Sequence, residues 1–148
     1  MHISSIFLVL GLLSLLAFPA TSLQAGEETD KGAARSKGKL LIVWTSADRD
    51  VAIKMVFKFA HNAAKKGWAD EIELLVWGPS SKLLSVDKEL QAAVKQMKND
   101  GVVLSACKSC AESYGVVDKL TAFGIDVRYM GKYLADRTLS DDWKVLTF

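Results

Sequence analysis

Leu40-Leu41-Ile42-Val43-Trp44 is an unbroken apolar run, and residues 51–66, VAIKMVFKFAHNAAKK, follow it with a different rhythm. The first is short and apolar throughout, which suits a strand buried on both faces. In the second, Ala52, Met55, Val56, Phe59, Ala60 and Ala63 recur at helical spacing, with Ile53 and Phe57 widening the stripe. Lys54, Lys58, Lys65 and Lys66 occupy the polar positions, so the segment reads as an amphipathic helix with Gly67 as its C′ residue. The alternation then repeats. Ile72 to Trp77 is a second strand ended by Gly78-Pro79, and Asp87 to Met97 is a helix stopped by Asn99-Asp100-Gly101. Val102 to Ala106 is a third strand, Cys107 to Tyr114 a short helix ending at Gly115, and Val116 to Phe123 another closed by Gly124. Ile125 to Met130 is a fourth strand, Tyr133 to Asp142 is helical in part, and Lys144 to Phe148 is the last strand. Strands alternating with helices predict an α/β, three-layer open parallel sheet of flavodoxin-like type, with strand order 2-1-3-4-5.

Ahead of this domain, Ile6 to Phe18 (IFLVLGLLSLLAF) is an apolar run followed by Pro19 and by small and polar residues up to Ala25 and Gly26. That layout predicts a signal peptide over residues 1–25, and with it an exported, periplasmic protein. The run is shorter than the roughly 20 apolar residues of a membrane span, so no stable span is expected after cleavage. Residues 26–38 read as a polar leader and 39–148 as the domain. The formal charge is only +2 and forms no basic cluster, which argues against nucleic acid as a partner. A domain of roughly 120 residues buries most of its unfolded surface without cross-links, so stability does not require a disulfide.

The chain has two cysteines, in Cys107-Lys108-Ser109-Cys110, directly after the third strand. Ligands of open parallel sheets bind beyond the carboxyl ends of the strands where the order reverses. In the order 2-1-3-4-5 that point lies between strands one and three, which makes Thr45 to Asp50 the neighbour of the thiols. Ser46, Asp48, Arg49, Lys108 and Ser109 are therefore candidate substrate-binding residues, with Tyr129 and Met130 at the end of strand four. Ser109 and Glu112 have capping-box spacing, and a helix start favours a thiolate, the reactive form. Cys107 and Cys110 are the candidate catalytic residues. Three plainer readings stand beside this one: a disulfide, which would stabilise little across so short a loop; a metal site, although the domain offers only His61, on another element; and inert packing. No metal and no cofactor is expected. His61 reads as a helix-face residue rather than a base.

The stretch Ala106-Cys107-Lys108-Ser109-Cys110-Ala111-Glu112-Ser113-Tyr114-Gly115-Val116 resembles the central segment of DsrE/DsrF-like proteins, which include sulfur-relay subunits of the TusD kind and sulfur-oxidation proteins of the DsrE kind. In these a cysteine opening a short helix is followed, eight positions on, by a Gly-Val pair, here Gly115-Val116. Gly124-Ile125-Asp126-Val127, Tyr129-Met130-Gly131 and the closing Lys144 to Phe148 extend the resemblance over Lys39 to Phe148. It implies a flavodoxin-like fold, a tendency to form homo- or hetero-oligomers, with a homo-oligomer expected here, and a cysteine that accepts sulfane sulfur from donor proteins or small persulfides and passes it to an acceptor. Cys107 holds the family spacing and, standing at the strand end, is expected to point out from the sheet edge and to lead, with Cys110 secondary. A thiol–disulfide redox protein using the same pair, and a non-enzymatic module binding a small ligand or partner, are the alternatives.

Overall fold

The computed structural model describes residues 36–148. The signal-peptide assignment and most of the leader lie outside the described residues. Five strands, β1 (Lys39–Trp44), β2 (Glu71–Val76), β3 (Val103–Cys107), β4 (Asp126–Arg128) and β5 (Trp143–Thr147), form one sheet in which every pairing is parallel. Between them lie α1 (Arg49–Val51), a π-helical stretch (Ala52–Phe57) and α2 (Lys58–Lys65), which run without a break, then α3 (Pro79–Val86), α4 (Lys88–Asn99), α5 (Lys108–Ser113), α6 (Val117–Ala122) and α7 (Gly131–Thr138). The helix predicted over 51–66 is present, and Gly67 closes it at φ +58° while Trp68 N–H donates to the Ala63 carbonyl. Helix α3 is an addition: residues 79–86 carry three serines, and Ser80, Ser81 and Ser85 are all buried, so no apolar stripe announced it.

The fold class matches the expectation, but the strand order is β4-β3-β2-β1-β5, not 2-1-3-4-5. β2, rather than β1, is the neighbour of β3. The chain steps one strand at a time from β1 to β4 and only then returns to the free side of β1. Right-handed crossovers then fix the layers. Steps taken in one direction lay their helices on one face, and the single return step lays its helix on the other. The side chains record this division. Ile42, Trp44, Ile72, Leu74, Val76, Leu104 and Ala106 point to the face covered by the helices between Ala52 and Leu120, with Trp44 meeting Phe57 edge-on at 5.0 Å. Leu41, Val43, Leu75 and Cys107 point to the opposite face, where they pack with Met130, Tyr133 and Leu134 at and just before the start of α7, and with Trp143 and Val145 of β5. This period of two, read across four strands, is why the apolar runs had no polar alternation.

The register gives a direct test of the order. Leu41 of β1 is paired with Val145 of β5, and adjacent strands lie about 4.8 Å apart, within the Cα range a disulfide spans. In a Cys107→Ser, Cys110→Ser background, the pair Leu41→Cys with Val145→Cys is expected to cross-link on mild oxidation. The pair Leu41→Cys with Val103→Cys, two strands apart, is expected to stay reduced. Intact mass reads both, and the reverse result would restore β3 to the side of β1.

Candidate functional site

Where two adjacent strands send their following helices to opposite faces, a crevice opens at their carboxyl ends. Here that happens between β3, followed by α5, and β4, followed by α7. A cavity of about 490 Å³ occupies the crevice. Cys107, Ser109 and Cys110 line it from the β3 side, Tyr129, Met130, Gly131 and Lys132 from the β4 side, and Trp77 from the end of β2.

Several predicted site residues therefore meet and others do not. Cys107, Cys110, Ser109, Tyr129 and Met130 share the cavity. Lys108 stands beside it, its ammonium 5.1 Å from the centre of the Tyr129 ring and 3.7 Å from Glu112. Ser46, Asp48 and Arg49 lie at the same carboxyl edge but across β2 from the thiols, because β1 and β3 are not neighbours. Their side chains are engaged locally. Ser46 accepts from Asp48 N–H, and Asp48 caps α1 by accepting from Asp50 N–H (2.7 Å) and Val51 N–H (3.2 Å). Arg49 pairs with Asp87, 2.8 Å away, and with Glu89. His61 is a helix-face residue bonded to Asp100 at 2.5 Å.

Two local expectations are corrected. β3 runs through Cys107, so α5 opens at Lys108 with Cys107 in the N-cap position (φ −71°, ψ 112°). Ser109 is thus already inside the helix and the Ser109/Glu112 capping box does not form; Glu112 turns instead toward Lys108 and the Tyr129 hydroxyl. Cys107 also does not project from the edge. It is 4% exposed and sits at the cavity floor, while Cys110 is the more accessible of the two.

Both cysteines are free thiols. Burial pushes the Cys110 thiol up from its ordinary pKa, and the neighbouring Cys107 thiol pushes the same way, while the backbone of Gly78 opposes them. Cys110 is thus favoured as the neutral thiol. Gly78, which follows β2, adopts φ 67° and ψ −134°, a conformation that a residue with Cβ avoids. Its neighbour Trp77 is anchored by backbone bonds to the Trp44 carbonyl (2.9 Å) and the Ser80 hydroxyl (3.1 Å). Across the cavity, α7 begins without a side-chain cap. Its first intrahelical bond is donated by Leu134, so among the described residues the N–H groups of Gly131, Lys132 and Tyr133 have no acceptor. Also among the described residues, no three His, Cys, Asp or Glu side chains converge as metal ligands, and no helix is long and apolar enough to cross a membrane.

Sequence reading missed the polar cluster beneath α7. Glu73 in β2 is fully buried. It accepts from the Ser105 hydroxyl at 2.5 Å and the Tyr133 hydroxyl at 2.6 Å, and Arg137 Nε lies 3.8 Å away. The Arg137 guanidinium stacks over Tyr133 and Trp143, and Arg128 covers Tyr133 from the other side. The available signal was an acid inside the apolar run Ile72-Glu73-Leu74-Leu75-Val76, since a lone carboxylate in a strand buried on both faces demands partners.

A five-stranded parallel sheet with a thiol pair in its carboxyl-edge crevice defines a flavodoxin-like domain of the cysteine-bearing kind. The chain belongs to the DsrE/DsrF-like family, whose model matches residues 38–148. Among solved structures it is similar to the conserved protein of unknown function BT1422 from Bacteroides thetaiotaomicron, at 34% identity and TM-score 0.72, covering 79% of this chain and 100% of that one. It also shares its fold with MTH1491, a protein of unknown function from Methanobacterium thermoautotrophicum (19% identity, TM-score 0.63, 75% of this chain and 99% of that one). YchN from E. coli does likewise (19%, 0.59, 75% and 99%). No curated protein matches the chain.

Two outcomes test the cluster. Glu73→Ala strands Arg137 without its counter-charge and is expected to cost about 3 kcal/mol in urea unfolding, whereas Glu73→Leu with Arg137→Met recovers most of that loss. Tyr133 is pushed up to about 12 from 10.0, first by burial and then by Glu73. The neutral phenol is the form the fold favours, so its contribution is complete below pH 10 and is lost as pH rises through about 12. An ultraviolet titration compared with Tyr133→Phe is expected to show one tyrosine ionising in that window.

Proposed function

We propose that the chain is a sulfur carrier that holds sulfane sulfur as a persulfide on Cys107. The observation that carries the reading is that Cys107, 4% exposed, lines one crevice together with Cys110 and with Gly131 and Lys132 at the start of α7. A sulfur anion in that crevice lies on the side of a helix N-terminus, whose free N–H groups favour negative charge. In loading, the Cys107 thiolate attacks the outer sulfur of R–S–SH. The donor S–S bond breaks, R–S⁻ leaves, and Cys107–S–SH forms. In unloading, an acceptor thiolate takes the outer sulfur and Cys107 returns to its thiolate. Both steps balance without an external oxidant, metal or organic cofactor.

Cys110 is secondary in this scheme because burial and the neighbouring Cys107 thiol favour its neutral form. The alternative that uses both thiols equally, a thiol–disulfide redox protein, is favoured by the presence of both free thiols in one crevice, and one experiment separates the two. Reduced protein treated with a persulfide donor and analysed by intact mass is expected to gain one sulfur atom. Cys107→Ser is expected to abolish the gain and Cys110→Ser to retain it. Loss of two hydrogens with no adduct in the unmodified chain would establish the redox reading instead.

Two further elements complete the proposal. The export reading rests on Ile6 to Phe18 and places the donor and acceptor in the periplasm. Assembly as a homo-oligomer is supported by α7 and β5, neither of which has a buried residue, and by Leu139 at the end of α7, 86% exposed. Light scattering at micromolar concentration is expected to give a multiple of the chain mass, and Leu139→Glu to lower it. A monomer in both cases would remove the oligomer from the proposal.

A further inference from the structure

The crevice also says which class of sulfur donor it suits, an inference that rests on the sulfur-carrier reading. Its volume, about 490 Å³, lies in the range of roughly 300–1,000 Å³ that holds whole organic ligands. A water occupies about 30 Å³, so an inorganic sulfur anion of a few atoms would leave most of the space filled by solvent. The walls are apolar where they approach the thiol. Met130 is fully buried against Cys107, Trp77 closes the β2 side, and Tyr129, 66% exposed, forms the rim. The cations nearby are already matched: Lys132 is 2.7 Å from Asp136, and Lys108 is shared between Glu112 and the Tyr129 ring. The amides opening α7 serve one negative charge, that of the reacting sulfur. Thiosulfate brings two, and its leaving group, sulfite, carries both away through the apolar wall, where uncompensated charge is costly.

We propose that the sulfur accepted by Cys107 arrives on an organic thiol with an apolar, aromatic or branched body, and that Trp77 and Tyr129 select that body. The chemistry is Cys107–S⁻ + R–S–SH → Cys107–S–SH + R–S⁻. One S–S bond is broken and one made, the sulfane sulfur keeps its oxidation state, and R–S⁻ leaves the crevice with its apolar body attached.

The test compares single-turnover loading rates of the full domain, read by intact mass, with three donors at equal concentration: benzyl persulfide, thiosulfate and inorganic polysulfide. Benzyl persulfide is expected to load at least tenfold faster than thiosulfate. The ratio of benzyl persulfide to polysulfide rates is expected to fall about twofold to tenfold in Tyr129→Ala and in Trp77→Ala, the range that loss of one aromatic contact implies. Tyr129, being exposed, keeps the test decisive if Trp77→Ala does not fold. Equal or faster loading from thiosulfate, or an unchanged ratio in Tyr129→Ala, overturns the donor assignment while leaving the carrier reading intact. Failure to load from any of the three donors overturns the carrier reading and this inference with it.

Discussion

The handedness of the strand–helix–strand crossover is the constraint on which the rest of this molecule depends. Four strands laid down in one direction commit all but one of the helices to a single face. The return from β4 to β5 has no right-handed path except across the other face, so α7 lies there alone. The divergence of α5 and α7 from neighbouring strands opens the crevice, and no residue of the crevice needs to be unusual for it to exist. What is particular to this chain is that β3 ends in a cysteine on the α7 side, so that the gap has a thiol for its floor.

A single short helix covering one face of a five-stranded sheet is a weak cover, and the Glu73 cluster answers that weakness. A carboxylate in the central strand, two hydroxyls and a stacked arginine bind α7 to β2 and β3 through directional contacts where apolar area is limited. Such a buried pair adds less net stability than apolar packing of the same size, but it tolerates no other register. Because the same helix begins at the cavity wall, the cluster sets where the unpaired amides of Gly131 and Lys132 stand relative to the thiols. Core and site are thus joined through one eight-residue element.

The two cysteines show how position outweighs spacing. Three residues apart on the chain, they differ because one closes a buried strand and the other lies in the first turn of a helix. Cys107 inherits the burial of β3. Cys110 is more accessible, yet burial and the neighbouring Cys107 thiol favour its protonated form, and the backbone of Gly78, from the turn after β2, acts in the opposite direction. A motif of four residues thus acquires an asymmetric pair of roles from three separate parts of the chain.

By itself the sequence determined the number and kind of strands, the parallel α/β class, most helix positions, the family resemblance, and the edge at which Cys107, Tyr129 and Met130 are found. These are properties of local periodicity and of strands that all run the same way, and period two, period 3.6 and glycine punctuation report them directly. Only the tertiary structure decided which strands are neighbours. Apolar runs buried on both faces carry no mark of the partner beside them, so nothing in Leu40 to Trp44 distinguishes β2 and β5 from β3 as its flanking strands. That one undetermined choice moved Ser46, Asp48 and Arg49 away from the thiols and placed the crevice between β3 and β4. It also brought Glu73 under Tyr133 and Arg137, residues 60 or more positions away, because a buried charge reveals its partners only when the strands and the helix that carry them are packed together.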